Sequence, residues 1–452
     1  MISIVLKDKL MKRRTLLVCI LILPLLCQQR ICSAQEVLLL EDAVKIALAN
    51  NYDIRLSSNV ALISKNNVSL ANAGILPTLG GNLSTNNAIQ NSTQIQADGT
   101  QTQRTGAKNS NINYGVNLNW TIFNGFQMFA RYAQLKELEK QSEANQQEAI
   151  TMTISNVIRG YYDLVQQQQQ IRANDSALSL SRYRLGIAAT RYEIGQAARL
   201  EVLNARVDLN TDTTNYLNQL ALYRNAKIRL NEVMARDVNI DFRVVDTIII
   251  DRALVLDALL TQAQQQNPTL QSVLIGRRVA ELNLKQVKGQ RYPAIGLNTG
   301  YNFTESQSAL GFATQNSGRG FNYGITASVN IFNGFLQRRN EQNAAILISN
   351  ADLEYKKLAL NISSQLSSGY QTYTTSLALV KLEESNADIA RQNMEITLDK
   401  FRYGNITPLE FREAQRNYIN AVVRFSNAQL QAKLAEVSLK ELAGNISIQE
   451  IL

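Results

Sequence analysis

The chain contains two copies of one unit, and this repeat restricts its fold more than any other feature. Asn51 aligns with Asn267, Pro77 with Pro293, Gly80 with Gly296 and Asn82 with Asn298, all at a spacing of 216. From Asn113-Tyr114-Gly115 and Asn322-Tyr323-Gly324 onward the spacing becomes 209. It then holds through Phe123-Asn124-Gly125-Phe126 and Phe332-Asn333-Gly334-Phe335, Gly160-Tyr161 and Gly369-Tyr370, Gly195 and Gly404, and Leu230 and Leu439. The seven-residue difference falls between Pro77 and Asn113, an interval that holds the polar stretch Thr93 to Ser110. Insertions collect in exposed loops, where they disturb little buried structure. The expected layout is a first repeat over 35–235, a joining strap over 236–255 packed outside the helices, a second repeat over 256–444 and a tail over 445–452.

Between Gly125 and Gly195 there is no proline and only two glycines, Gly160 and Gly186, while Ala, Leu, Gln, Glu, Lys and Arg dominate. These residues lose little freedom in a helix. A helix of that span is roughly 100 Å long at 1.5 Å per residue. No compact domain buries such a rod, so the long helices must pack side by side as a coiled coil or helical barrel. The run Gln166 to Gln170 then reads as a solvated helix face. At the second helix end, Gly404 suits a stop, and Thr407, Pro408 and Glu410 fit the N-cap, first-turn and capping-box positions of a returning helix.

Four segments have a period of two instead. Tyr114, Val116, Leu118, Trp120 and Ile122 alternate with small polar residues, as do Ile295, Leu297, Thr299, Tyr301 and Phe303, and Tyr323, Ile325, Ala327, Val329 and Ile331. A weaker alternation runs from Leu79 to Asn87. Strands are expected at about 79–90, 113–123, 294–305 and 322–332. Such strands suit a half-buried hairpin or a transmembrane barrel that is apolar outside and wet inside, with Trp120, Tyr114, Tyr301 and Tyr323 facing the membrane.

The N-terminus favours the barrel. Lys7, Lys9, Lys12, Arg13 and Arg14 precede an apolar run from Leu16 to Leu26, and Cys32-Ser33-Ala34 offers small residues for cleavage. That pattern is a secretory signal peptide over 1–34, initiated at Met1 or Met11. All three cysteines, Cys19, Cys27 and Cys32, lie within it, and Leu26 and Ile31 are not the small residues expected before a lipidated cysteine. Four strands cannot close a barrel, and an open edge is not tolerated in lipid. Three copies would supply twelve strands and room for a lumen.

Other function classes find little support. The chain has no histidine and, after cleavage, no cysteine, and it shows no Gly-rich phosphate loop, metal box or nucleophile elbow. No enzyme activity, cofactor or metal site is expected. Of the net charge of +9, the leader carries +5, and the remaining Lys and Arg are scattered among acids, so no nucleic-acid face is expected. A periplasmic coiled-coil scaffold would explain the helices and leave the four strands unexplained.

Taken together, the leader, the tandem units, Pro77 and Pro293 before the strands, the two Phe-Asn-Gly-Phe turns and the tip segments Tyr192 to Ala205 and Phe401 to Ala414 resemble the TolC-like outer-membrane factors. The resemblance covers about residues 40 to 444. It implies a homotrimer with mixed α and transmembrane β structure: a 12-stranded outer-membrane barrel continued by a periplasmic helical barrel. It further implies a passive exit duct for a tripartite efflux pump or a type I secretion system, fed by an inner-membrane pump through a periplasmic adaptor. The polar loops Thr93 to Ser110 and Ser306 to Gly320 would face the cell exterior. At the tip, with turns at Gly195 and Gly404, the family's constriction acids correspond to Glu201, Glu410 and Glu413, with Asn204 in place of one acid. Arg199, Arg402 and Arg412 are the donors available to offset them, and Phe401 stands where a gating tyrosine is found.

Overall fold

The computed structural model describes residues 37–308 and 313–446, so the expected leader, 1–34, and the tail from residue 447 lie outside the described residues. The first repeat runs β1 (Val37–Leu38), α1 (Leu40–Asn50), α2 (Tyr52–Asn67), β2 (Thr78–Ile95), β3 (Gln101–Asn124), α3 (Gln127–Glu193) and α4 (Arg199–Val233). The second runs β4 (Arg243–Val244), α5 (Leu256–Gln266), α6 (Pro268–Gly289), β5 (Ala294–Ser308), β6 (Gln315–Ser328), α7 (Leu336–Arg402) and α8 (Pro408–Ala443).

Each repeat pairs one 67-residue helix, α3 or α7, with two shorter helices placed end to end. Asparagines make the joints. Asn51 Oδ1 accepts from the first amides of α2, Asp53 N at 2.9 Å and Ile54 N at 3.2 Å, while its Nδ2 donates to Val233 O at the end of α4 at 2.8 Å. Asn267 does the same at the start of α6, accepting from Leu270 N and donating to Leu442 O at the end of α8, both at 2.9 Å. One side chain thus satisfies orphan donors of one helix and an orphan carbonyl of the next.

The Phe-Asn-Gly-Phe turns convert strand into helix. Gly125 and Phe126 have φ of 67° and 65°, and Gly334 and Phe335 have 62° and 63°. Two consecutive left-handed residues reverse the chain, at a cost of about 1–2 kcal/mol for each phenylalanine. The preceding asparagines offset it: Asn124 Oδ1 accepts from Met128 N at 3.1 Å and Asn333 Oδ1 from Gln337 N at 3.3 Å. The paired rings also meet edge-on, Phe123 with Phe126 at 5.0 Å and Phe332 with Phe335 at 5.4 Å.

The strap packs against the helices. β4 pairs in parallel with β1, and Phe242, Val244 and Ile248 bury against α3. Tyr161 OH donates to Leu38 O at 3.0 Å and accepts from Val245 N at 3.3 Å. Its repeat equivalent, Tyr370, donates to Leu254 O at 3.3 Å, and Tyr373 donates to Asp251 O. Asp251 N donates to Glu436 Oε2 at 2.9 Å, and Lys440 reaches both carboxylates.

The sheet is antiparallel in the order β2-β3-β5-β6. Its first hairpin corrects the expected boundaries. The polar stretch Thr93 to Ser110 is mostly strand, because β2 and β3 pair out to Ile95 and Gln101 beyond a bulge between Gln90 and Ser92. The turn is only 96–100, closed by Gln96 N to Thr100 O at 2.9 Å and by Asp98 Oδ1 accepting from Thr100 N at 2.9 Å. Likewise most of Ser306 to Gly320 belongs to β5 and β6, and β6 ends at Ser328, short of the expected 332. Thr, Ser and Gln pair in ladders as well as apolar residues do, so polarity alone mislocated the loops.

The helices form one layer. Its half nearer the sheet runs α2-α3-α6-α7 and its far half α4-α3-α8-α7. No described helix is long and apolar enough to cross a membrane.

Candidate functional site

The far end of the layer carries both helical turns. α3 stops at Gly195, φ 78°, with Gly195 N to Tyr192 O at 3.0 Å and Gln196 N to Arg191 O at 2.7 Å. α7 stops at Gly404, φ 77°, with Gly404 N to Phe401 O at 3.1 Å and Asn405 N to Lys400 O at 2.9 Å. Both are Schellman-type ends. The returning helices begin differently. Thr407 Oγ1 accepts from Glu410 N at 3.3 Å while Glu410 Oε2 accepts from Thr407 N at 2.8 Å, a complete capping box with Pro408 in the first turn. α4 begins after Ala198, which has no side chain to cap it.

The structure thus divides the candidate acids. Glu410 is engaged in its cap. Glu413 is exposed and loosely paired with Arg416 at 3.9 Å. Glu201 turns toward α3, with Oε1 buried and unpartnered beside the charge of Arg184. The candidate donors also separate. Arg402 pairs with Asp399 at 3.4 Å and lies over the Tyr183 ring at 5.6 Å, whereas Arg199 is exposed without an ion pair among the described residues. Arg412, expected near the constriction acids, points away from Glu410 and binds Asp212 through two nitrogens at 2.7 and 3.1 Å.

That contact belongs to a buried polar cluster joining α3, α4 and α8. Arg184 pairs with Asp208, and Ser181 donates to Asp212. Gln415, buried with 1% exposure, donates to Ala177 O at 2.9 Å and Ser181 Oγ at 3.2 Å. Burial, then the neighbouring Arg412, pushes the Arg184 guanidinium down to about 10 against the pull of Asp212 and Glu201. Sequence reading missed Arg184, Asp208 and Asp212. The available signal was the i, i+4 pair Asp208 and Asp212, which places two carboxylates on one helix face.

Beside the cluster sits an apolar core. Phe401 and Phe411, both fully buried, stack at 4.6 Å among Met394, Ala414, Ile187 and Leu398. Arg191 lies 5.4 Å from the Phe401 ring centre and donates to Phe401 O at 3.3 Å. Phe401 therefore contributes packing where a tyrosine would contribute a hydroxyl. Between α4 and α8 a groove of about 790 Å³ opens, lined by Glu201, Asp208, Pro408 and Arg416 among others. No group of acids, histidines or cysteines among the described residues is arranged to hold a metal ion.

At the opposite end, Tyr114 stacks on Phe303 at 4.8 Å and Tyr301 meets Phe303 edge-on at 5.2 Å, while Tyr323 is 80% exposed. Trp120 is 39% exposed, with Nε1 donating to Ile75 O at 2.8 Å. These rings form one face of the sheet, as the alternation required.

Comparison with known proteins agrees with this architecture. Outer membrane protein TolC of Vibrio cholerae serotype O1 is 22% identical over 357 residues, 75% of this chain and 78% of that protein. Outer membrane efflux protein BepC of Brucella suis is 18% identical over 91% of this chain and 86% of its own length. The crystal structure of the Campylobacter jejuni CmeC outer membrane channel superposes with a TM-score of 0.73 at 18% identity, covering 91% of this chain and 88% of that one. The outer-membrane channel OprN gives 0.73 at 16% identity over 90% of each. The family profile described as outer membrane efflux protein matches residues 43–236 and 259–445, which takes in both repeats, and the chain therefore belongs to the outer membrane efflux protein family, a family of channel proteins.

Proposed function

We propose that three copies of this chain form a passive exit duct in the outer membrane, receiving cargo from an inner-membrane pump through a periplasmic adaptor. The observation that carries this reading is the sheet itself: four strands with both outer edges, β2 and β6, unpaired among the described residues. In lipid each edge must find a partner, and pairing β6 of one copy with β2 of the next closes twelve strands. The helical layer supports the same closure. Its edge helices expose apolar residues at coiled-coil spacing: Tyr52, Leu56, Val60 and Ile63 on α2, Leu200, Leu203 and Val207 on α4, and Leu382, Ile389 and Ile396 on α7. Stripes of this kind on both sides of one layer suit a seam between copies.

In this duct the aromatic face, with Trp120, Tyr114, Tyr301 and Tyr323, meets lipid, and the turn at 96–100 and the neighbouring ends of β5 and β6 face the exterior. The helical tip lies in the periplasm. Glu413 is the acid freest to line a constriction there, with Arg199 and Arg402 as nearby cations, and Glu410 serves its helix cap. The function is tested by reconstitution. The purified protein should form discrete ion channels in planar bilayers, and Glu413→Gln should reduce their preference for cations. Absence of channels from correctly folded, outer-membrane-fractionated protein would contradict the duct. Unchanged selectivity in Glu413→Gln would remove that carboxylate from the pore.

A further inference from the structure

The sheet face opposite the aromatic rings carries one asparagine from each strand in an unbroken chain of hydrogen bonds. Asn117 Nδ2 donates to Asn82 Oδ1 at 2.7 Å, and Asn302 Nδ2 donates to Asn117 Oδ1 at 3.2 Å and to Asn322 Oδ1 at 2.8 Å. Each asparagine lies opposite glycine on the adjoining strand: Asn82 faces Gly115, Asn117 faces Gly80 and Gly300, Asn302 faces Gly115 and Gly320, and Asn322 faces Gly300. Those glycines make the ladder possible. A Cβ on Gly115 would lie 2.2 Å from Asn302 Oδ1, and one on Gly300 would lie 2.2 Å from Asn117 Oδ1.

Up to the bulge the rest of this face is uncharged, and beyond it Arg104, opposite Ser92, marks the outer end. In 78–90, 109–121, 296–308 and 316–328, every second residue counted from the first is Asn, Gly, Ser, Thr, Ala or Gln. The two charged residues in those stretches, Glu305 and Arg319, alternate onto the aromatic face. A passage lined by one sign of charge raises the local concentration of counter-ions by on the order of tenfold or more, whereas amides and hydroxyls exchange hydrogen bonds with water and do not sort solutes by charge.

We propose that the barrel bore is an electrically neutral, amide-lined exit that passes cargo of either charge, with its inner surface held in register by the asparagine–glycine ladder. This rests on the reading above in which the polar face lines the lumen. Selection by charge then belongs to the helical tube and its tip.

The test places one cysteine on the polar face away from the ladder, Ser306→Cys, in a chain whose own three cysteines all precede residue 33. Intact cells are treated with two methanethiosulfonates of similar size, one bearing an ammonium and one a sulfonate. The ratio of their rates should lie within about twofold of the ratio measured on a small free thiol, since a neutral bore concentrates neither reagent. A displacement of on the order of tenfold would show a charged bore and overturn the proposal. No reaction with either reagent in a folded oligomer would overturn it differently, by showing that this face is not luminal and that the duct reading itself is wrong. The ladder has its own control. Gly300→Ala should lower the yield of heat-resistant oligomer, while Gly318→Ala, where a Cβ meets only open space, should not. Equal yields would remove the ladder's role in register.

Discussion

The two hairpins that meet at the helical tip share a backbone and differ in what holds them. The α3–α4 end is tied by buried charge, Arg184 with Asp208 and Arg412 with Asp212. The α7–α8 end is tied by the Phe401–Phe411 stack and the Thr407 capping box. At repeat-equivalent positions the first set becomes Ala390, Asn393, Asn417 and Ala421 for Ser181, Arg184, Asp208 and Asp212. The second set becomes Tyr192, Val202 and Ala198 for Phe401, Phe411 and Thr407. Because Arg412 and Gln415 come from the second repeat, the ionic cluster also stitches the repeats together, whereas the aromatic stack closes one hairpin on itself. The difference matters for how each end can fail. Removing one member of a buried ion network strands the others as uncompensated charges, whereas an apolar stack loses stability with the volume removed.

The largest expected effect follows from that asymmetry. Asp212→Ala leaves Arg412 without its bidentate partner and should cost about 3–5 kcal/mol of local stability. Hydrogen exchange should accelerate at the ends of α3, α4 and α8 and little at the end of α7. Adding Arg412→Met should recover part of the loss. If Asp212→Ala alone loosens all four helix ends equally, the two ends are not held separately.

A smaller effect concerns the caps. Thr407→Ala should cost about 1 kcal/mol at the start of α8, and Ala198→Thr should stabilise the start of α4 by a similar or smaller amount by giving Glu201 a capping partner. Helix-end exchange in the two variants reads both signs. A loss in Ala198→Thr would mean that Glu201 is needed beside Arg184 rather than free to cap.

The same logic applies where the two repeats leave their short helices. Gly444 has φ 75° and its equivalent, Ala235, has φ 50°. Ala235→Gly should relieve left-handed strain offset by added freedom in the unfolded chain, for a net gain of a few tenths to about 1 kcal/mol in the unfolding midpoint. Gly444→Ala should lose considerably more, because its Cβ would also lie 2.6 Å from Gln266 O. Equal and opposite shifts would show that strain, and not this contact, separates the two sites.

The smallest effect is on pH. The Ala253 amide, then Lys440, holds the Asp251 carboxyl below its usual 3.8, and Glu436 with Asp251 lifts Lys440 above 10.5 against burial. The Asp251 contribution is therefore full above 3.8 and is lost as pH falls through its lowered folded value. The Lys440 contribution is full below 10.5 and is lost as pH rises through its raised folded value. Proteolysis within the strap should be slowest between those limits, and a rate independent of acid would detach the strap from this pair.

Much of the architecture could be read from residue order. The repeat, the long helices and the alternating strands are local patterns, set by spacing along one segment. The Thr407 capping box was legible for the same reason, since all its atoms lie within four residues. What could not be read were contacts that join distant helices. Nothing near Arg412 indicates that it binds Asp212, 200 positions earlier, instead of Glu410 two positions away. The strand ends were misplaced because threonines and glutamines beyond the bulge pair as strands while carrying a loop-like composition. The Asn51 and Asn267 joints were visible as a matched pair, but their roles required the ends of α4 and α8 in space.

Closure of the open sheet edges by identical copies fixes the mass of the intact complex. Native mass measurement of the protein extracted from outer membranes in mild detergent should give three times the mass of one chain, with no stable monomer in the channel-forming fraction. A channel-forming monomer or dimer would contradict the account, because neither supplies the twelve strands that a lumen requires.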